Sequence, residues 1–328
     1  MHDFDKSTEH VENRFAKHNT SILENFFGTT DVTSFWIADM EFEIAKPIIA
    51  ELQRIVDRAV YSYEFAPTDL RQAISDWFLR RHDLLLNPER FLQVPSVLTG
   101  ISLLIRTLSK PQDGVLIQTP VYHQFANIIK SANRKIVANP LINNEGKYTM
   151  DFADLEQKFK YGDVKLMLLC NPHNPVGRVW KKEELSRVLE LANQYNITVI
   201  SDEIHADIIY SPHTFCSFMS LDADKHIALI GSTAKTFGMH SISNGFMYIP
   251  EKTKYEIVKS DVSGMFLDHG SAFTTFATIA AYKHGEPWVE ELSAYHEKVL
   301  AWMTDFIATE LPKIIITPVE GTYQIWLD

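Results

Sequence analysis

A lysine in an uncharged, apolar stretch is the residue whose type and position most directly suggest chemistry. Residues 227–231 have the length and composition of a buried strand, and the small residues that follow lead to Lys235. A desolvated lysine loses its proton readily and can form a Schiff base with an aldehyde cofactor or a carbonyl substrate. The alternative is a partly buried lysine whose amine reaches water. Lys235 alone leaves both interpretations open.

Polar side chains that could serve such a lysine follow other strand-like runs. They are Tyr122 after residues 115–117, Asn174 after residues 165–170, and Asp202 and His205 after residues 197–200. A carboxylate after a buried strand needs a partner, which a cationic ring nitrogen could provide. Each side chain also has a structural alternative: Tyr122 and His205 as ordinary packing residues, Asn174 as a bond within its turn, and Asp202 as the cap of a helix over residues 203–209.

A phosphate could bind where a helix begins. Ser232 lies three positions before Lys235, and a helix is predicted to start near Ser96, Val97 and Leu98. Free backbone N–H groups at a helix start attract anions, so these amides and the Ser232 hydroxyl together could hold a phosphate group.

Hydrophobic periodicity predicts the elements that position these residues. We expect helices over residues 48–59, 68–82, 182–196 and 286–311, strands at 94–98, 115–117, 165–170, 197–200 and 227–231, and a closing hairpin of 313–318 with 322–327. Thr68 or Asp69 is the expected cap of the second helix, and residues 1–45 read as irregular. Alternating strands and helices predict an α/β fold with a mostly parallel sheet, and ligands in such folds bind beyond the carboxyl ends of the strands.

Composition excludes several classes of function. Lys and Arg number 31 and Asp and Glu number 42, so the formal net charge of −11 argues against a nucleic-acid partner. Two cysteines give no disulfide framework, the N-terminus lacks the pattern of a signal peptide, and no apolar run is long enough for a bilayer, so we expect a cytoplasmic protein without a membrane partner. No nucleotide-binding fingerprint, metal-ligand spacing or nucleophile elbow is present, and no metal is expected.

Six motifs resemble those of a known enzyme family. They are Ile37-Ala38-Asp39-Met40-Glu41-Phe42, Pro95-Ser96-Val97, Thr119-Pro120-Val121-Tyr122, Asn171-Pro172-His173-Asn174-Pro175-Val176-Gly177, Ile200-Ser201-Asp202-Glu203-Ile204-His205 and Ser232-Thr233-Ala234-Lys235. In order and spacing the sequence resembles the fold-type I enzymes dependent on pyridoxal phosphate, the aspartate aminotransferase superfamily. Within it, the sequence is most similar to the MalY/PatB-like branch of cystathionine β-lyases (C–S lyases).

The resemblance implies a role for each candidate residue. Lys235 would bind pyridoxal 5'-phosphate and act as the base at Cα, with Tyr122 as the second catalytic residue. The implied cofactor-binding residues are Lys235, Asp202 on the ring nitrogen, Asn174 and His205 on the ring hydroxyl, Tyr122 stacked on the ring, Ser232, Ser96, Val97 and Leu98 at the phosphate, and Tyr63 from a partner subunit. Ala38 and Asn174 would contact substrate. A homodimer with shared sites follows from the role of Tyr63.

The implied reaction is elimination of a thiol from L-cystathionine or another L-cysteine S-conjugate, giving pyruvate and ammonia. His205 stands where aminotransferases usually have tyrosine, which favours the lyase branch. An aminotransferase of the same fold and a cofactor-binding protein without turnover are the alternatives.

The resemblance also implies a domain division and two departures. A three-layer α/β/α large domain would span residues 46–285, residues 1–45 would pack with a small α+β domain, and residues 286–328 would begin that domain. Family members continue for several dozen residues beyond the equivalent of Tyr323, so we expect the small domain to be incomplete and to lack the arginine that binds the substrate carboxylate. Ser243 replaces an arginine that binds phosphate in aminotransferases.

Overall fold

A seven-stranded, mostly parallel sheet organises the chain. The structure, a computed structural model, describes residues 2–6, 14–64, 66–221 and 226–328. The strands are β1 (Phe91–Val94), β2 (Gly114–Thr119), β3 (Lys135–Pro140), β4 (Ile142–Asn144), β5 (Lys147–Thr149), β6 (Val164–Cys170), β7 (Thr198–Asp202), β8 (Ile227–Ser232) and β9 (Gly245–Tyr248). The large sheet has the order β1-β9-β8-β7-β6-β2-β3, with β9 antiparallel to both neighbours, and β4 pairs with β5 in a hairpin.

Helices cover both faces of the sheet. They are α1 (Thr20–Phe27), α2 (Lys46–Asp57), α3 (Pro67–His82), α4 (Val97–Leu108), α5 (Gln124–Ser131), α6 (Phe152–Tyr161), α7 (Lys182–Tyr195), α8 (Thr233–Thr236), α9 (Lys252–Gly264), α10 (Ala272–His284) and α11 (Glu286–Glu310). In the described parts of the chain, no helix combines the length and apolarity needed to cross a membrane.

The interior strand β6 shows why the sheet is buried on both sides. Leu166 and Leu168 pack in one core with α4 and α9, while Met167 and Leu169 pack in another with α6 and α7. Successive side chains of a strand point to opposite faces, so a strand covered on both sides must be apolar throughout. The predicted α/β fold, with a mostly parallel sheet between two helical layers, is confirmed.

The sheet brings several strand ends to one edge. β2, β6, β7 and β8 are parallel neighbours, so their carboxyl ends lie side by side. β9 runs in the opposite direction and therefore starts at this same edge, where Gly245 is paired with Ser232. The loops that carry Tyr122, Asn174, His205 and Lys235 all leave the sheet here.

Some local predictions were wrong. Residues 1–45 were expected to be irregular but contain α1, which Asn19 caps through a bond from the Ile22 N–H. β1 ends at Val94 rather than extending to residue 98. α3 begins at Pro67 after Ala66, which provides no side-chain cap, so neither Thr68 nor Asp69 is the N-cap. Residues 203–209 form hydrogen-bonded turns instead of a helix.

The two chain ends lie against the main body. Phe4 packs against Trp288 and Tyr295 of α11, with ring centroids 5.8 and 5.4 Å apart. The predicted C-terminal hairpin forms as irregular antiparallel pairing, with a bridge between Ile316 and Leu327. The division into domains at residues 45 and 285 stays a prediction.

The buried Arg178 links the C-terminal segment to the loop that follows β6. Arg178 Nε donates to Glu320 Oε2 at 2.9 Å and its Nη2 lies 3.1 Å from Glu184 Oε2. A third bond goes to the Tyr148 carbonyl, and the guanidinium lies 4.8 Å from the Trp180 ring centroid. Because Arg178 is 9% exposed, each of its donors needs a protein acceptor.

Replacing Arg178 with alanine should therefore destabilise the fold by about 3–5 kcal/mol, the usual cost of breaking a buried ion pair. Arg187→Ala is the matched control, because Arg187 contacts Glu156 and Glu190 from a side chain that is 45% exposed. That control should change the free energy of unfolding by less than about 1 kcal/mol. Urea unfolding followed by circular dichroism measures both. Equal effects of the two substitutions would contradict the assigned role.

Candidate active site

Lys235 enters the site on a single helical turn. β8 ends at Ser232, whose Oγ accepts from the Ala234 N–H at 3.1 Å and donates to the Asn244 carbonyl at 2.8 Å. From α8 the Lys235 amine reaches the Ala38 carbonyl oxygen at 2.5 Å. Burial lowers the pKa of this amine, and the charges of Asp39 and Asp202 act in the opposite direction. The net result is an amine that loses its proton more readily than a surface lysine does.

Asp202 is a buried carboxyl group at the end of the neighbouring strand. It is 6% exposed, and its Oδ1 accepts from the Ile204 N–H at 3.1 Å. Burial raises the pKa of Asp202 to about 7, although the Ile204 bond and the Lys235 charge lower it. Asp202 therefore does not cap a helix, and its carboxyl group accepts one hydrogen bond within a turn instead. A carboxyl group in this state gains most from a cation placed against it.

The aromatic ring of Tyr323 lies near both Lys235 and His205. The His205 ring lies 5.9 Å from the Tyr323 ring, and the Lys235 Nζ lies 6.0 Å from the Tyr323 ring centroid. Tyr323 Oη also donates to the Ala38 carbonyl, at 3.1 Å. Burial lowers the pKa of His205 to about 3, helped by the charges of Lys235 and His240. His205 is therefore neutral, and its buried Nδ1 has no hydrogen-bond partner in the described part of the chain.

Tyr122 and Asn174 come from the loops after β2 and β6. These loops are joined by a 2.8 Å bond between His173 Nε2 and the Pro120 carbonyl. Burial and then the charge of Asp202 raise the pKa of Tyr122, so its phenol is neutral at physiological pH. The Asn174 N–H lies 3.4 Å from Cys170 Sγ, at the end of the strand paired with Asp202. The loops that carry both residues thus leave the sheet at the same edge as the loop that carries Lys235.

The start of α4 lies near the end of β8, the strand that leads to Lys235. Ser96 caps this helix by accepting from the Thr99 N–H at 3.1 Å, which leaves the first amides, those of Val97 and Leu98, outside the helical pattern. The backbone of Gly245 lies so close that a Cβ there would be 2.6 Å from the Ser96 carbonyl carbon. Because Gly245 is paired with Ser232, this approach brings Ser232 to the helix start.

Comparison with known proteins identifies the family. The model for aminotransferase class I and II matches residues 37–328. The chain belongs to this family. It is 34% identical to cystathionine β-lyase PatB of Bacillus subtilis (strain 168), over 99% of this chain and 84% of that protein.

Two solved structures that contain pyridoxal 5'-phosphate have the same fold as this chain. Cystalysin from Treponema denticola, which contains pyridoxal 5'-phosphate, is 28% identical with a TM-score of 0.90, over 100% of this chain and 84% of its own. A pyridoxal-phosphate-bound C–S lyase from Staphylococcus hominis is 25% identical with a TM-score of 0.92, over 100% and 82%. The resemblance inferred from the motifs is confirmed, and so is the fold-type I architecture.

The residues present fit the cofactor that this aminotransferase family implies. A part-buried lysine of lowered pKa could bind an aldehyde, and a buried carboxyl group could pair with a ring nitrogen. The neutral His205 has a free ring nitrogen, and the start of α4 offers amides to a phosphate. The donor set therefore matches a ring that carries an aldehyde, a hydroxyl group, a cationic nitrogen and a phosphate.

Tyr63 was expected in the site of a partner subunit and not in that of its own chain. Its side chain is 97% exposed, and its contact with a partner stays a prediction. Ala38 does lie in the site, and it acts through its carbonyl oxygen.

Sequence reasoning gave no role to Tyr323, which lies in the site, or to Asp207, which bonds the residue after the lysine. Tyr323 is 88 positions from Lys235 (323 − 235), and it is placed by contacts that no local pattern reveals. The position of Asp207 five residues after Asp202, which ends β7, is the one sign that the sequence offered.

Proposed function

We propose that this protein is a pyridoxal-phosphate-dependent carbon–sulfur β-lyase that acts on L-cystathionine or a related L-cysteine S-conjugate. The observation that carries the proposal is the proximity of two groups at neighbouring strand ends: the part-buried amine of Lys235, whose pKa is lowered, and the buried carboxyl group of Asp202, whose pKa is raised. The names of the relatives, cystathionine β-lyase and C–S lyase, support the choice of reaction.

The chain's own residues would hold the cofactor. Lys235 would bind its aldehyde carbon, Asp202 its ring nitrogen, and His205 and Asn174 its hydroxyl oxygen, while Tyr122 would stack on the ring. Ser232, Ser96 and the amides of Val97 and Leu98 would bind its phosphate. When bound, pyridoxal phosphate supplies an electron-withdrawing ring that stabilises negative charge at the substrate Cα.

Lys235 is the base of the proposed reaction. With the substrate bound, the Lys235 amine would take the proton from Cα. The electron pair left at Cα forms a double bond to Cβ, and the Cβ–S bond breaks so that sulfur leaves as a thiolate. The thiolate would take up the proton held by Lys235, giving homocysteine when the substrate is L-cystathionine, and the 2-aminoacrylate left behind would react with water to give pyruvate and ammonia. The amine is well suited to this step because it carries a lowered pKa.

A spectroscopic experiment tests the function. Purified protein with pyridoxal phosphate should develop an absorbance band of lysine-bound cofactor, and L-cystathionine should change this band while pyruvate, ammonia and thiol appear in equal amounts. A protein without this band would contradict the proposal, and a band that L-cystathionine leaves unchanged would indicate binding without turnover. Glutamate formed from an amino acid and 2-oxoglutarate, without ammonia, would identify an aminotransferase instead.

Two further expectations belong to this proposal. The exposure of Tyr63 is consistent with a residue that completes the site of a partner subunit in a homodimer. Light scattering with and without the substitution Tyr63→Phe, together with cofactor titration, tests both the assembly and the contact. The cytoplasmic location stays a prediction from the sequence.

A further inference from the structure

A buried carboxylate that no step above uses, that of Asp207, bonds the residue directly after the lysine. Asp207 is 8% exposed and accepts hydrogen bonds from Trp77 Nε1 at 3.0 Å and Thr236 Oγ1 at 2.8 Å. His82 Nε2 lies 3.0 Å from Asp207 Oδ1, and since an ionised carboxylate can only accept, His82 is the donor. Burial raises the pKa of Asp207, but the bond and charge of His82 and the bond from Thr236 outweigh it and hold the pKa below its ordinary value.

Thr236, which donates to Asp207 from α8, is the residue directly after Lys235. α8 has four residues, and the bond from the Phe237 N–H to the Thr233 carbonyl closes its single turn. A helix this short has little stability of its own. Its orientation therefore depends on side-chain bonds at its two ends, which are made by Ser232 before the lysine and by Thr236 after it.

The other two donors connect this carboxylate to a rigid part of the fold. Trp77 and His82 belong to α3, and the Trp77 ring packs against Tyr282 of α10 at 5.3 Å and against Phe237 at 5.6 Å. A buried charge that accepts from three donors is held tightly, because each bond to a charged group is stronger than a neutral one. Asp207 thus fixes Thr236 relative to two long helices.

We propose that Asp207 is a positioning residue for Lys235, which it orients through its hydrogen bond with Thr236. This inference rests on the proposed role of Lys235. Asp207 Oδ2 accepts from Thr236 Oγ1, while the Lys235 amine donates to the Ala38 carbonyl, so we expect a change at Asp207 to reach the amine through Thr236.

Thr236→Val is the deciding variant, because valine keeps the shape of threonine and removes the donor. Thr233→Val is its matched control: Thr233 is buried in the same turn, and its Oγ1 has no hydrogen-bond partner in the described chain. Thr236→Ser restores the hydroxyl group. Asp207→Asn, which cannot accept from all three donors at once, should act in the same direction as Thr236→Val.

The primary measurement needs no cofactor. Competitive labelling of amines with acetic anhydride, read by mass spectrometry across a pH series, gives the pKa of Lys235 in cofactor-free protein. Burial lowers this pKa, so a lysine released from its position should regain water and show a higher pKa in Thr236→Val and Asp207→Asn. Thr233→Val and Thr236→Ser should keep the parent value. A parent-like pKa in Thr236→Val, or the same rise in Thr233→Val, would overturn the proposal.

Cofactor titration separates this inference from the proposed function. The dissociation constant for pyridoxal phosphate should rise about tenfold in Thr236→Val and stay unchanged in Thr233→Val, as expected for loss of one bond to a charged group. A parent protein that binds no cofactor would refute the proposed function, while the labelling experiment would still decide whether Asp207 positions the lysine. Urea unfolding of the two valine variants verifies that both remain folded.

Discussion

Lys235→Ala is expected to abolish both pyruvate release from L-cystathionine and the absorbance band of lysine-bound cofactor. The substitution removes the amine that binds the aldehyde and the base that takes the Cα proton, and a positioned base alone contributes about 10²–10⁴-fold to a rate. We therefore expect turnover to fall by at least about 10³-fold. Lys235→Arg should be equally inactive, because a guanidinium keeps its proton and cannot act as a nucleophile.

A second lysine provides the control for this result. Burial also lowers the pKa of Lys254, whose amine donates to Thr198 Oγ1 at 3.2 Å, at the opposite end of β7 from Asp202. Lys254→Ala should keep the cofactor band and the parent rate. A Lys235→Ala protein that still shows the band, or a Lys254→Ala protein that loses it, would show that the lysine has been misassigned.

Asp202→Asn should reduce the rate of elimination by about 10²–10³-fold, the usual effect of removing one preorganised electrostatic contact. An amide cannot balance the charge of a protonated ring nitrogen, so the ring would withdraw electrons less strongly. Glu203→Gln is the control. Burial raises the pKa of Glu203 to about 7 as well, but Ser201, Ser217 and the Phe218 N–H satisfy its carboxyl group at 2.7–2.9 Å. Its cofactor spectrum should match that of the parent.

In cofactor-free protein, Asp202→Asn should raise the free energy of unfolding at neutral pH. Burial raises the pKa of Asp202 to about 7 in the folded chain, so between the unfolded pKa near 4 and pH 7 the folded state binds more protons than the unfolded state. The free energy of unfolding must fall as pH rises through this range. Asp202→Asn removes that loss, so it should be more stable than the parent at pH 7.5 and equal to it below about pH 4. Urea unfolding at both pH values tests this; equal stability at pH 7.5 would refute the raised pKa.

Much of the site was predictable because a parallel sheet converts position along the chain into position in space. Tyr122, Asn174 and Lys235 each follow a strand, Asp202 ends one, and strands that run in parallel end at one edge. The continuous apolar run at residues 166–170 of β6 indicates burial on both faces without any knowledge of its partners. The helix start near Ser96 was also expected from local sequence, although the strand before it ends at Val94 and not at residue 98 as predicted.

The remaining contacts depend on segments that meet only after folding. Thr236 bonds Asp207 across 29 positions, Arg178 bonds Glu320 across 142, and Tyr323 bonds Ala38 across 285. No propensity or periodicity encodes such pairs, because each partner alone has an unremarkable neighbourhood. The short helix α1 was missed for a related reason: eight residues give too few turns for a clear apolar stripe.

The oxygen that accepts hydrogen bonds from both Lys235 Nζ and Tyr323 Oη belongs to the main chain of Ala38. Exchanging alanine for glycine or serine at this position leaves that oxygen in place, so a mutational scan would score residue 38 as tolerant and overlook its part in the site. The acceptor is set by the path of the backbone through residues 37–41. Sequences that diverge at these side chains but keep that path would inherit the same polar contact, which makes it a property of the fold rather than of a particular residue.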